Sequence, residues 1–238
     1  MRKVSFIIPA LNEQTAIGMT LDAIPKEDFR TMGFDLEVLV VDNQSEDRTA
    51  TIAESRGATI IVEPERGYGH ACKAGLRAAS GDFLILVDGD ASYPVQKSIH
   101  MISLLQKSQA DIVLGSRFQG TIEKGGLRGL HRFGNILLTF LVNFLFGSHH
   151  RLTDVQTGFR SCNREILPLL NLTSGGMEFA TELVVKALQR QLRICEIPIN
   201  YYARPKYSYS KLRPFRDGWR HLLYLLQAKI RFVLKIWS

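Results

Sequence analysis

The chain has 238 residues, 45% of them hydrophobic and 22% charged, with three cysteines and a formal net charge of +7. That length and balance suit one large globular domain with an appendage, and exclude a disordered chain, a fibrous repeat or a disulfide scaffold. Cys72, Cys162 and Cys195 stand far apart at no metal-ligand spacing, which points to a reducing compartment.

The charge is unevenly placed. From Arg204 onward there are nine Lys or Arg against one acid, Asp217, so residues 1–203 are close to neutral. A basic tail on a neutral body points to an anionic partner: membrane headgroups, a phosphate-bearing acceptor or nucleic acid. The chain enters a strand-like run at once, so no cleavable secretory signal is expected.

In chain order, residues 4–8 predict a first strand, ended by Pro9-Ala10-Leu11-Asn12-Glu13. Ala16 to Ile24 reads as a helix, with Asn12 or Thr15 as candidate caps. Residues 35–41 form a second strand, followed by a polar turn and a helix from about Thr49 to Arg56; residues 58–62 form a third strand. Gly67-Tyr68-Gly69 opens a helix over 70–79. It resembles a phosphate-binding glycine loop, but Cys72 stands where a dinucleotide fingerprint has its third glycine. The glycines serve either a ligand or close packing.

Residues 83–87 predict a fourth strand that runs into Asp88-Gly89-Asp90. Ligands of open α/β sheets sit beyond the carboxyl ends of the strands. The spacing lets both carboxylates reach one hard divalent cation if the backbone turns at Gly89, and Mg²⁺ takes one or two carboxylates plus substrate phosphates. Taken alone, the pair reads more readily as an ordinary Asp-Gly turn at a strand end.

Gln96 to Lys107 reads as an amphipathic helix, and residues 111–118 as a strand ending at Arg117. A guanidinium there suits a phosphate or a nearby Asp. Gly120, Gly125, Gly126 and Gly129, with Arg128, His131 and Arg132, make a flexible segment before the apolar run Ile136 to Phe146. That run of eleven residues is too short to span a bilayer. It reads as a core helix or an interfacial one, and the basic residues before it and His149-His150-Arg151 after it favour the interface.

Residues 153–160 are dense in polar groups, and Glu178 and Glu182 share a helix face as a candidate acid or base, or as a solvated face. Residues 194–199 form a late strand whose Pro198 marks an edge. Residues 201–213 interleave aromatic and basic groups, which fits nucleic acid, a diphosphate clamp or a membrane interface. Phe215, Trp219, Leu222, Leu223, Leu226, Ile230, Val233, Leu234 and Trp237 then make an apolar face against Arg216, Arg220, Lys229, Arg231 and Lys235. Such a helix lies on a membrane surface or packs on the domain.

Taken in order, Pro9–Glu13, Val40–Thr49, Gly67–Gly69, Asp88–Asp90, Gly115–Arg117, Asp154–Arg160 and Ser210–Leu212 resemble the motif series of an inverting family 2 glycosyltransferase with the GT-A fold. Within that family the chain is similar to the dolichyl-phosphate mannose synthase and polyprenyl-phosphate glycosyltransferase branch. The resemblance implies an α/β, Rossmann-like, mostly parallel sheet flanked by helices. With the basic amphipathic pattern of the tail, the expected division is a GT-A catalytic domain over residues 1–212 and a basic amphipathic C-terminal helix over 213–238 at a membrane surface.

By the same resemblance, Pro9, Leu11 and Glu13 line the nucleotide pocket, Val40 and Asp42 hold the base or ribose, and Gly67 and Gly69 belong to the nucleotide-sugar site. Asp88 and Asp90 match the DxD carboxylates that bind Mg²⁺ or Mn²⁺ and the donor diphosphate. Ser92 stands where several relatives have a Gln as a further metal ligand, and Asn43 where a second Asp often follows Asp42. Arg117 contacts a phosphate, and Arg204 and Lys211 close over the diphosphate from a loop.

A nucleoside diphosphate leaves once metal and basic side chains neutralise it. An acceptor phosphate is already anionic near neutral pH and attacks without a base; a hydroxyl acceptor needs one, for which Asp154, Glu178 and Glu182 are the candidates. The expected function is transfer of a sugar from a GDP-mannose or UDP-glucose type donor to a polyprenyl (dolichyl) phosphate. The expected place is the cytoplasmic face of an anionic membrane, with peripheral attachment or a membrane-anchoring protein partner. One alternative is a soluble family 2 enzyme acting on a phosphorylated small molecule or a glycan hydroxyl. Another is an inactive membrane or nucleic-acid binding module, against which the retained Asp88, Asp90, Arg117, Arg204 and Lys211 argue.

Overall fold

The chain folds around β1 (Arg2–Ala10), buried without a break from Val4 to Ala10. An apolar run of that kind belongs in the middle of a parallel sheet, covered on both faces. The other strands are β2 (Phe34–Asp42), β3 (Thr59–Val62), β4 (Phe83–Leu86), β5 (Ile112–Ser116), β6 (Arg160–Asn163) and β7 (Ile194–Pro198). The computed structural model describes residues 2–127, 129–147 and 151–236; Arg128, His149, His150 and Trp237, named above, lie outside the described residues.

The seven strands form one sheet in the order β3-β2-β1-β4-β6-β5-β7, as a mostly parallel α/β architecture requires. From β1 the chain steps outward through β2 to β3, then returns to the other side of β1 with β4. This reversal is the switch point at which such sheets open a crevice. Asp88 follows the end of β4 by two residues and so falls in it.

The helices are α1 (Ile17–Asp22), α2 (Lys26–Thr31), α3 (Thr49–Ser55), α4 (Tyr68–Ala78), α5 (Ser98–Gln106), α6 (Gly129–Phe146), α7 (Leu167–Leu170), α8 (Phe179–Gln189) and α9 (Pro214–Ile236). Alternate strand residues feed two cores. Ile7, Leu39, Val41, Leu84 and Leu86 face α4, α6, α8 and α9, while Phe6, Ile8, Val40, Phe83 and Ile85 face α1, α2, α3 and α5. Each fully buried side chain of this size contributes about 1.5–3 kcal/mol of hydrophobic stabilisation. A Cβ on Gly75 of α4 would lie 2.3 Å from Ile7 Cγ2, so only glycine lets that helix lie directly on β1.

Four features depart from the sequence reading. α2 carries little periodicity and is held by one side chain, Phe29, in an edge-to-face chain with Phe6 (5.8 Å) and Phe34 (6.2 Å). β6 is antiparallel to both neighbours and polar, and was expected only as a polar stretch. Its Arg160 is buried because the guanidinium donates to the carbonyls of Val155, Thr157 and Ala180.

α6 begins seven residues before the apolar run and reaches 18 residues, with mean hydropathy 1.3 and 17% of it buried. By length and composition it could cross a membrane, which corrects the expectation that it is too short. Finally, α9 has a second, buried face that the sequence reading did not show, while the predicted apolar face points outward. The face that packs on α6 and α8 carries Asp217, His221, Leu225 and Ala228, a stripe at helical spacing.

At the base of the segment that carries α6, Ser116 Oγ and Thr153 Oγ1 lie 2.6 Å apart. The chain thus leaves and rejoins the sheet region at one point.

Candidate active site

The loops after β1 and β2 are sewn together. Glu46 N donates to Asn12 Oδ1 (2.8 Å), Asn12 N to Ser45 Oγ (3.0 Å), Gln14 N to Asp47 Oδ2 (3.1 Å) and Glu13 N to Thr49 Oγ1 (2.8 Å). Asn12 therefore joins two loops and does not cap α1, which has no side-chain cap. Pro9, Leu11, Glu13 and Asp42 lie along this seam. Asp42 is half-buried and accepts from Ser45 N at 3.2 Å. Val40 does not join them: it is fully buried in the core below, two residues before the strand end, which corrects its assignment to the nucleotide pocket.

Asn43 has a role that the sequence did not disclose. Its Nδ2 donates to the carbonyls of Glu63 (3.1 Å) and Glu65 (2.8 Å), and its Oδ1 accepts from Gly67 N (2.7 Å). An Asp could not donate to those carbonyls.

Gly67 and Gly69 are also corrected. Gly69 N and His70 N, at the start of α4, donate to Gly176 O and Gly175 O, so they are not free for a phosphate. A Cβ on Gly67 would lie 2.2 Å from Gly175 O, and one on Gly69 2.4 Å from Ser174 O. Both glycines serve close packing of the 174–176 loop.

Asp88 is half-buried. Tyr68 OH donates to its Oδ1 at 3.0 Å, and a Cβ on Gly158 would lie 2.2 Å from its Oδ2, so the bare glycine leaves room for the carboxylate. Burial, then the neighbouring Asp90 charge, lifts Asp88 to about 6. Asp90 is 2% exposed. Its Oδ1 accepts from Ser92 N (3.0 Å) and Ser92 Oγ (2.5 Å). Its Oδ2 lies 2.5 Å from Arg204 Nη2 as an ion pair, yet receives no well-directed hydrogen bond among the described residues.

These groups fit a divalent cation. Two acidic side chains converge, one of them gives up its proton reluctantly because of burial and then of its neighbour's charge, and one buried oxygen lacks a directed donor. The described residues contain no cluster of three or more His, Cys, Asp or Glu that could hold a metal, so a cation here would share its shell with a phosphate ligand. Ser92 is fully buried with its hydroxyl on Asp90, so it supports that carboxylate and is not a ligand pointing into the crevice.

Arg117 and Asp154 do not stand free either. Arg117 Nε and Nη2 donate to Asp154 Oδ2 (2.6 Å) and Oδ1 (2.8 Å), and Arg117 N adds a third bond at 3.0 Å. Glu196 of β7, missed in the sequence, accepts from Thr153 N, Thr153 Oγ1 and Asp154 N and so fixes that loop. Asp154 is thereby removed from the candidate bases. Glu182 is removed too: it is fully buried and accepts from Thr173 and Ser174, with Lys186 at 2.7 Å. Glu178 retains an Oε2 that has no hydrogen-bond partner among the described residues.

Arg204 and Lys211 do reach the crevice. Lys211 Nζ lies 2.5 Å and Arg204 Nη1 3.4 Å from Glu13 Oε1.

Fold and site together define a GT-A glycosyltransferase. The chain belongs to glycosyl transferase family 2: residues 5–167 match the family described as Glycosyl transferase family 2. It is 34% identical over 227 residues to a low-salt glycan biosynthesis hexosyltransferase of Haloferax volcanii, covering 94% of this chain and 53% of that protein. It is 33% identical over 218 residues to a dolichyl-phosphate hexose transferase of the same organism, covering 90% of this chain and 89% of that one. The chain thus spans about half the length of the first relative and most of the second. Glucosyl-3-phosphoglycerate synthase of Mycobacterium tuberculosis, in complex with phosphoglyceric acid, superposes with a TM-score of 0.72 at 22% identity, covering 95% of this chain and 80% of that one. Its complex with Mn²⁺, uridine diphosphate and glucosyl-3-phosphoglycerate gives 0.71 at 21% identity, covering 96% and 80%. These structures share the fold.

Proposed function

We propose that this glycosyltransferase moves a hexose from a nucleoside diphosphate sugar to the phosphate of a polyprenyl (dolichyl) lipid, with inversion, at the cytoplasmic face of a membrane. The observation that carries the donor half is the convergence of Asp88 and Asp90 with Arg204 at the switch point. Asp88 and Asp90 would hold Mg²⁺ or Mn²⁺, and that ion supplies charge neutralisation to the departing diphosphate. Arg204 and Lys211 add positive charge from above, and Pro9, Leu11, Glu13 and Asp42 border the nucleoside. Tyr68, pushed well above its ordinary range by burial and by Asp88, stays protonated and orients the Asp88 carboxylate.

A phosphate acceptor suits the acids that remain. Of the three candidate bases, Asp154 and Glu182 are locked in ion pairs and Glu178 alone keeps an oxygen unpartnered among the described residues, which favours a nucleophile that needs no base over a hydroxyl. For the lipid, the support is an apolar surface on two touching helices. α6 exposes Phe133, Phe140 and Phe144, and α9 exposes Phe215, Trp219, Leu226 and Ile230. Arg132, Arg216 and Arg220 lie among them on the same helices. An apolar patch bordered by Arg is the composition of an interfacial helix. We assign residues 213–238 to this surface, while its inner stripe belongs to the domain. The dolichyl-phosphate hexose transferase relative supports the lipid reading. The phosphoglycerate-binding neighbours support a second one, a small phosphorylated acceptor.

The deciding experiment offers labelled nucleotide hexoses to the protein with polyprenyl phosphate in vesicles or with 3-phosphoglycerate, each with Mn²⁺, Mg²⁺ or EDTA. Product on the lipid only in the presence of a metal is the expected result. Transfer that survives EDTA, or that reaches only the soluble acceptor, overturns the reading.

A further inference from the structure

Glu13 gathers a distant loop. It sits just past β1, 6% exposed, and accepts from Lys211 Nζ (2.5 Å), Ser208 Oγ (2.7 Å) and Arg204 Nη1 (3.4 Å). Its own N–H is fixed on Thr49 Oγ1. Arg204 bridges onward: its Nη1 also meets Tyr209 O at 3.2 Å, and its Nη2 lies 2.5 Å from Asp90 Oδ2. One loop therefore rests both cations on two carboxylates, one in the nucleotide seam and one in the metal site.

We infer that Glu13 is a positioning residue for the 203–212 loop and that Arg204 is an exchangeable occupant of Asp90. Arg204 holds that carboxylate until a divalent cation takes it, then transfers to a diphosphate oxygen, while Glu13 keeps the loop in place through Ser208 and Lys211. The inference rests on the metal and diphosphate reading of Asp88 and Asp90.

Three physical points support it. A carboxylate oxygen within 2.5 Å of a guanidinium nitrogen cannot also bind a dication at about 2.1 Å without bringing like charges together in a site of low effective dielectric. Arg204 and the cation are therefore alternatives at Oδ2. A diphosphate presents paired oxygens that match the guanidinium fork, so the displaced Arg204 has a better partner close by. Glu13 is too buried to be left without a cation, so it retains Lys211 throughout. No new bond order or proton is involved; one ion pair is exchanged for another.

Calorimetry with Mn²⁺ alone, and with inorganic diphosphate at saturating Mn²⁺, separates the outcomes in wild type, Arg204→Gln and Asp90→Asn. Arg204→Gln is expected to bind Mn²⁺ alone about tenfold tighter and diphosphate about tenfold weaker, the size of one charge-assisted bond. Equal Mn²⁺ affinity in wild type and Arg204→Gln, with Asp90-dependent binding intact, overturns the exchange alone. Mn²⁺ binding that ignores Asp90→Asn overturns the metal reading and the exchange with it. Glu13→Gln should leave the protein folded by circular dichroism but speed trypsin cleavage after Lys206 or Lys211 about tenfold. Cleavage at the wild-type rate overturns the role of Glu13, and Arg204→Lys, which keeps the charge, should restore part of the diphosphate affinity.

Discussion

Arg117 and Asp154 face each other through two parallel bonds, 2.6 and 2.8 Å long, with both side chains closed off from solvent. Such a pair is structural before it is chemical. Removing one partner strands a buried charge, so Asp154→Ala should cost about 3–5 kcal/mol of stability, measured by denaturant unfolding. A base would behave differently, losing turnover with unfolding unchanged, and that result would return Asp154 to the reaction.

Asp88 gives the site a pH dependence. Its folded pKa, about 6, lies above the usual carboxylate range, because of burial first and Asp90 second. The raised value means that the cation-free fold loses stability as pH climbs through about 6, since the unfolded chain releases that proton more readily. A cation needs the ionised form, so Mn²⁺ affinity should rise up to about tenfold per pH unit below about 6 and level off above it. Titrations at a series of pH values that show flat affinity across this range would refute the assignment.

His221 works in the opposite sense. Burial against α8 lowers it to about 4, and its Nδ1 shares a 2.6 Å bond with Thr181 Oγ1. The unfolded chain takes up a proton first, so stability is full above about 6.5 and drains away as pH falls towards about 4, by up to about 3 kcal/mol. Urea midpoints from pH 4 to 7 should show that slope, and His221→Phe should flatten it.

The outward faces of α6 and α9 are tested without deleting the tail, because Asp217, His221 and Leu225 are part of the interior. Phe144 and Trp219 are 74% and 63% exposed, so Phe144→Asp with Trp219→Asp should leave the melting temperature within a few degrees while weakening binding to anionic vesicles about tenfold or more. Unchanged co-sedimentation would mean that this surface is not the one that meets lipid.

Asn43→Asp exchanges two donated bonds for a carboxylate facing two carbonyl oxygens. The loss should be about 1–3 kcal/mol in stability, with the donor KM rising more than kcat falls, because the loop that shifts borders the seam proposed for the nucleotide. An equal fall in kcat alone would place Asn43 in the chemistry.

Much of this was legible beforehand. Strands buried on both faces leave unbroken apolar runs, so β1, β2 and β4 could be seen, and their order of appearance put Asp88 and Asp90 at a strand end. β6 was hidden because its interior position depends on Arg160 finding three carbonyls, not on hydrophobicity. Gly67 and Gly69 misled because their partners lie more than a hundred residues away, on the 174–176 loop. In α9 the periodicity was right, and the docked stripe on the other face was hidden. A pattern shows that one face is apolar, but only the inward-facing Asp217 and His221 reveal that the other face is the docked one.

The hydroxyl pair of Ser116 and Thr153, beside the Arg117–Asp154 ion pair, turns residues 118–152 into a cassette with a closed base. Because the entropy of closing a loop grows only slowly with its length, such a cassette can be lengthened, trimmed or exchanged with little strain on the sheet. α6 lies within it and α9 rests on α6, so the two would have to be swapped together. Grafting this unit between family members offers a way to redesign the outward apolar surface while leaving Asp88, Asp90 and the 203–212 loop that rests on Asp90 and Glu13 as they were.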